Sequence, residues 1–372
     1  MQPVLTWTYR FFMLFGMLFA FSTYGQFGSI EKRKTTVDPE RLRIQTEIDS
    51  AKKLFTTDRI AAFEKVEAAI TAAVKSGYRP ELAEAYYTLG NFNFSMLEYN
   101  SAVLYFDRAL SIYKSLSSWE MVYNIQMLLG KSYINLAEYN MAQTQFDEAA
   151  LIALKGKRTE GNLKARIASA QLLIMKENFD LAEEQLNAVR AEAQAANLTE
   201  IAAEAEYELG EIFEKRGDFY QANSYFGYAQ DNALQTRNNP LLLKTNQRVV
   251  ENYTKTDNEN IGLDDQKLFN SLNLAETVFL DEKDTVALLE NTIQKADYYA
   301  AQGEYNEAEQ ALNNSLDLSE QYGDLDKQVT TQKKLYDIYA QSNQSKEAME
   351  AYDNYQMLLD SAKRLKEAEK GQ

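Results

Sequence analysis

Along most of the chain, apolar side chains recur at the spacing that lines one face of a helix, and the pattern itself returns at a fixed interval. Ala102, Ala142, Ala182 and Ala222 stand 40 residues apart. Four places after each comes a large apolar side chain: Phe106, Phe146, Leu186 and Phe226. Three places before each sits an aromatic: Tyr99, Tyr139, Phe179 and Phe219. Twelve before each is a small residue: Gly90, Gly130, Ala170 and Gly210. Four columns that stay in register four times are an internal repeat, and they predict helical hairpins stacked along the chain. The register reaches back to Ala62, with Val66 and Ala69. Forward, it weakens at Gly262, then resumes at Ala308 with Leu312 and at Ala348 with Tyr352. From 262 to 308 the interval is 46 residues, so the Thr254–Asp265 stretch is expected to hold an insertion.

Each column has a physical reason. The triplets Leu97-Glu98-Tyr99, Ala137-Glu138-Tyr139, Gly217-Asp218-Phe219 and Gly303-Glu304-Tyr305 read as turns between two helices. Their first position is expected to be left-handed, the conformation that ends a helix and that Gly adopts without strain. The acidic residue then meets the positive end of the next helix dipole. The small residue of the first helix and the Phe or Leu of the second predict close ridge-into-groove packing.

The segments Tyr86-Tyr87-Thr88-Leu89-Gly90 and Met127-Leu128-Leu129-Gly130-Lys131-Ser132-Tyr133 resemble the first helix of a tetratricopeptide repeat. Ala142, Phe146 and Ala149 resemble its second. The family pattern runs over 34 residues and opens on Trp. Here the period is 40, the Trp column holds Tyr86, Gln126, Arg166 and Glu206, and the closing Pro is missing. The long period is similar to that of kinesin light chains and of bacterial regulatory and sensor proteins. The resemblance covers roughly residues 40–365. It implies an all-α fold, a right-handed α-solenoid of about eight antiparallel helix-turn-helix units, whose job is to bind other proteins.

Composition removes most alternatives. Proline occurs 4 times in 372 residues, so long helices are permitted. There is no cysteine and no histidine, which excludes thiolate chemistry, disulfides and the commonest general base and metal ligand. A net charge of −16 has the wrong sign for nucleic acid. Gly130-Lys131-Ser132 lacks the upstream glycine of a phosphate loop, since Ile125 stands there. The Asp257–Gly262 stretch has Ile261 and Leu268 where a calcium loop needs oxygen ligands. No catalytic residue, cofactor or metal is expected, and the chain reads as a non-enzyme.

The N-terminus reads as an export signal. Arg10 precedes the apolar run Phe11–Phe21, and Ser22-Thr23-Tyr24-Gly25-Gln26 follows, with Thr23 and Gly25 at the small positions of a cleavage site after Gly25. Eleven residues are too few for a hydrocarbon core of roughly 30 Å. The expected organisation is a signal peptide at 1–25, a linker at 26–38, a first array at 39–236, a degenerate unit at 237–287, a second array at 288–365 and a tail at 366–372. Without cysteine the chain is not a lipoprotein, and the periplasm is its expected location.

In tetratricopeptide proteins the first helices line the concave face. The matching positions here give a candidate groove of Tyr87, Asn91, Phe94, Asn124, Met127, Lys131, Ile134, Lys164, Ile167 and Gln171. Further along, Glu211, Glu214, Glu251, Asp297 and Asp337 predict an acidic stretch that favours basic partner residues. Of the family's Lys–Asn–Asn–Lys–Arg clamp only Asn91 and Lys131 approach a match, so that activity is not carried over. The expected partner is an extended peptide or a helix of another protein. The alternative is a periplasmic sensor-input component acting on a membrane protein through the last helix.

Overall fold

A computed structural model describes residues 38–255 and 265–370. The expected signal peptide, nearly all of the linker and most of the expected insertion lie outside the described residues. Every element in the described residues is a helix. In chain order they are α1 Pro39–Leu54, α2 Arg59–Ser76, α3 Arg79–Ser95, α4 Tyr99–Ser115, α5 Trp119–Asn135, α6 Tyr139–Lys155, α7 Thr159–Met175 and α8 Phe179–Ala195. There follow α9 Thr199–Lys215, α10 Phe219–Thr236, α11 Asn239–Lys255, α12 Asp265–Glu282, α13 Thr285–Ala301, α14 Tyr305–Tyr322, α15 Leu325–Gln341 and α16 Ser345–Lys370.

From α3 to α11, helices begin at residues 79, 99, 119, 139, 159, 179, 199, 219 and 239. The 40-residue period is therefore two matched halves, and the turn inside a hairpin is built like the turn between hairpins. Relative to the 34-residue family unit, each helix gains about three residues, close to one turn. The connector geometry explains the regularity. Leu97, Ser117, Ala137, Lys157, Glu177, Asn197 and Arg237 all take positive φ, as does Gly217. The next amide then reaches back to the fifth carbonyl before it: Glu98 N to Asn93 O is 2.9 Å and Glu138 N to Tyr133 O is 2.8 Å. This closure satisfies helix-end carbonyls that water would otherwise have to solvate. Asp218 also caps the following helix through Gln221 N at 3.0 Å, whereas Glu98 and Glu138 make no side-chain cap.

The chain divides into two compact units, Met1–Thr88 and Leu89–Gln372. The described part of the first unit buries Ile44, Ile48, Ala62, Val66 and Ala69, and Lys52 bonds Glu84 at 2.7 Å. In the second unit the expected small-against-large packing is present: Gly90, Gly130 and Gly210 lie directly against the rings of Phe106, Phe146 and Phe226. One core cluster runs from Ala203 through Tyr253, Leu272 and Phe279 to Tyr298. The degenerate hairpin α11–α12 is thus built into a continuous core. Buried amides supplement it, with Gln230 donating to Asn246 at 2.7 Å and Asn291 to the Leu272 carbonyl at 3.0 Å. At the C-terminus, α16 carries helix through Lys370, so most of the expected tail is helical.

Candidate functional site

Within the second unit, successive odd-numbered helices lie side by side and present one face built from a few columns. One column reads Asn91, Lys131, Gln171, Glu211 and Glu251. Another reads Asn124, Lys164, Glu204 and Lys244. Helices α5 to α15 are tied to their successors by polar contacts. Tyr123 OH donates to the Gly161 carbonyl at 3.0 Å, and Gln171 Nε2 to Glu208 Oε1 at 2.7 Å. Arg248 meets Glu214 at 2.8 Å, Gln294 Nε2 donates to the Leu243 carbonyl at 3.1 Å, and Lys334 meets Asp297 at 2.6 Å.

The expected groove residues do not share one environment. Lys131 is exposed, and no carboxylate among the described residues lies within ion-pairing distance of it. Asn91, Phe94, Asn124, Met127, Ile134, Lys164 and Gln171 are half-buried. Phe94 packs edge-on against Tyr99 with ring centres 5.5 Å apart, and Met127 rests on the Tyr123–Ala149–Ala153–Ala165 cluster. Tyr87 is half-buried and belongs to the first unit. Ile167 differs from the expectation. It is 3 % exposed and packs in a core cluster with Leu163, Ile201 and Ala205, so it offers no surface to a partner. Seventeen-residue helices bring α7 and α9 into contact along this column, which closes over at Ile167 and again at Tyr207.

The acidic stretch is also more balanced than its sequence suggests. Arg248 stands 3.5 Å from Glu211, 2.8 Å from Glu214 and 3.3 Å from Glu251. Lys244 sits 3.8 Å above the Tyr207 ring, and the Tyr207 hydroxyl donates to Glu211 at 3.0 Å. Lys164 is held by Glu160 at 2.6 Å, and that bond keeps the Glu160 carboxyl below its usual range. Burial pushes Glu204 up, against the pull of Lys164 and Lys131. Burial likewise raises Asp297, opposed by Lys334. Glu208 is 5 % exposed, and burial together with neighbouring Glu211 pushes it up to about 7.

Glu208 and Arg248 are absent from the residues that the repeat columns single out. They occupy one column, 40 residues apart, whose earlier members are Thr88, Leu128 and Ala168. Opposite charges entering an uncharged column were the available signal. The Trp column of the resemblance is likewise polar and interior: Gln126 bonds Glu148, Arg166 meets Glu192 at 2.8 Å, and Asn232 donates to Glu206 at 2.7 Å. Each of these joins the two helices of one hairpin. A separate cleft of about 510 Å³ between α6, α7 and α8 is lined by Phe146, Asp147, Arg166 and Leu173, and Gln143 bonds Ser169 across it at 2.6 Å.

No family model matches the chain, and no curated protein does. Solved structures share its fold. The apo quorum sensor NprR from B. thuringiensis is 13% identical, over 95% of this chain and 93% of that one, with a TM-score of 0.56. Aspartyl phosphate phosphatase F from Bacillus subtilis is 14% identical over 75% and 70%, with a TM-score of 0.52. Apo RapI is 16% identical over 76% and 99%, with a TM-score of 0.51. Helices paired in consecutive hairpins, the Gly–Phe packing and these likenesses together make the chain a tetratricopeptide-like α-solenoid.

Proposed function

We propose that the chain is a non-catalytic scaffold that docks a peptide or helix of another protein on its odd-helix face, along α5 and α7. The observation that carries this reading is Lys131. It is an exposed cation that makes no ion pair among the described residues, set among half-buried amide and apolar side chains. Lys164, Arg248 and Lys334 on the same face are each held by carboxylates. A partner that brings an acidic group to Lys131 completes the pattern, and the amides of Asn124 and Gln171 supply hydrogen bonds beside it. The quorum sensor among the structural neighbours supports a binding role for the fold. One neighbour carries a phosphatase name, and its likeness at 14% identity is one of fold. Export through the Arg10–Gly25 segment places the partner in the periplasm in this reading. No feature of α16 selects the sensor-input alternative.

The test places a photo-crosslinking residue at Asn124, and as a control at exposed Thr144 on α6. The protein captured only from Asn124 is purified. Its affinity is then measured for the native chain and for Lys131→Glu and Lys131→Arg. Charge reversal is expected to weaken binding about tenfold, and Arg to preserve it. A partner that binds Lys131→Glu as tightly as the native chain overturns the reading.

A further inference from the structure

Helix α9 carries a pair of carboxyl groups, one bonded to α7 and the other to α11. Glu208 and Glu211 are three residues apart on α9, on one face of the helix. Glu208 is buried, while Glu211 is half-buried. From α7, Gln171 donates to Glu208. From α11, Lys244 and Arg248 face the pair, but Lys244 lies over the Tyr207 ring and Arg248 is shared among Glu211, Glu214 and Glu251. Tyr207, on α9 itself, donates to Glu211. No cation is therefore dedicated to Glu208.

We propose that Glu208 and Glu211 form a proton-operated latch on the odd-helix face, sharing one proton when closed and releasing it to solvent when open. In the closed state the Glu208 hydroxyl donates to the Glu211 carboxylate while Glu208 still accepts from Gln171, so α7 and α9 are joined through uninterrupted hydrogen bonds. Loss of that proton leaves two adjacent anions at a buried contact, where their repulsion is little screened. The open latch then accepts a cationic side chain of a partner, and the closed latch excludes it. This last step rests on the docking function proposed above; the latch itself does not.

The composition makes such a device conspicuous. With no histidine and no cysteine in the chain, no unperturbed side chain changes charge between about pH 6 and pH 8. Burial and the like charge of Glu211 bring Glu208 into that window, to about 7. The sign follows from linkage. The folded value lies above the unfolded one, so the contribution to stability is complete below the ordinary glutamate range. It is lost as pH rises through about 7.

The experiment needs no partner. The chain is labelled with ¹³C at glutamate side-chain carboxyls, and the Glu208 resonance is assigned by its loss in Glu208→Gln. The expected titration midpoint is about 7. The melting temperature of the native chain is expected to fall by about 5 °C more than that of Glu208→Gln from about pH 5.5 to about pH 8. If Glu208→Gln does not fold, Glu211→Gln serves instead: removing the like charge lowers the Glu208 midpoint. A Glu208 midpoint in the ordinary glutamate range, or the same pH slope in native and variant chains, overturns the latch. Because these readouts need no ligand, failure of the docking reading leaves them unchanged, and failure of the latch leaves the Lys131 test unchanged.

Discussion

Gly130 on α5 lies directly against the ring of Phe146 on α6, and a β-carbon built on Gly130 would come within 3.0 Å of that ring. The contact repeats at Gly90 with Phe106 and at Gly210 with Phe226. In the fourth unit the same two columns carry Ala170 and Leu186, both fully buried in one core cluster. The chain thus contains two solutions to one packing problem: no methyl group against a ring, or a methyl group against a smaller side chain.

That pairing predicts a compensated double mutant. Gly130→Ala forces the Phe146 ring off its position and is expected to cost about 1–3 kcal/mol. Phe146→Leu leaves space and costs a similar amount. The double variant recreates the Ala170–Leu186 pair and should be at least about 1 kcal/mol more stable than the sum of the single changes. Urea denaturation of the four proteins checks this. Strict additivity would remove packing as the reason for the small column.

At the connectors the preference is for glycine on backbone grounds alone. Ala137 and Glu177 hold φ near +58° and +59°, where an L side chain is strained. Ala137→Gly and Glu177→Gly are each expected to raise stability by about 0.5–1 kcal/mol, because relief of that strain outweighs the added freedom of the unfolded chain. Gly217 at φ +81° is the reciprocal case. Gly217→Ala meets nothing in space yet should cost about 1 kcal/mol through its backbone alone. Stabilities measured in one buffer series test all three.

What the sequence showed and what it hid follow from how each feature arises. The columns and turns are local: a small residue twelve places before an alanine, or an acidic residue between a turn and an aromatic, is visible in one unit and repeated in the next. Burial on the odd-helix face is not local. Met127 and Ile167 occupy the same place in helices one period apart, yet Met127 is half-buried and Ile167 is buried against Ile201 and Ala205 of α9. Which of them a partner can reach depends on how two units forty residues apart nest together. The same holds for the acidic stretch, whose apparent charge could be judged only once Arg248 was seen between Glu211, Glu214 and Glu251.

Arg248 therefore carries a prediction of its own. Its side chain is 27% exposed and that of Glu214 10%. Arg248→Met removes the cation and leaves three carboxylates facing one another. The expected loss is about 1–3 kcal/mol near neutral pH, smaller than for a wholly buried pair because solvent reaches the guanidinium. The attraction between Arg248 and the carboxylates is electrostatic and partly reached by solvent, so the gap between native and variant stability is expected to narrow as salt concentration rises. Denaturation at two salt concentrations decides it, and a gap that stays constant with salt would assign the effect to lost packing of the arginine stem.

Ile167 and Lys131 separate the fold from the site. Both are on the odd-helix face by position in the repeat, but only Lys131 is accessible. Ile167→Ala opens a cavity between α7 and α9, with an expected cost of about 2–4 kcal/mol. It should leave partner affinity unchanged under conditions where the variant is folded. Lys131→Glu should shift stability by no more than about 0.5 kcal/mol, because an exposed side chain that makes no ion pair among the described residues has little to lose. Its effect belongs to binding. Circular dichroism melts alongside titration with the captured partner give the two numbers for each variant. Should Lys131→Glu lose stability in proportion to affinity, the lysine would be a structural residue, and the docking surface would have to be sought elsewhere on the array.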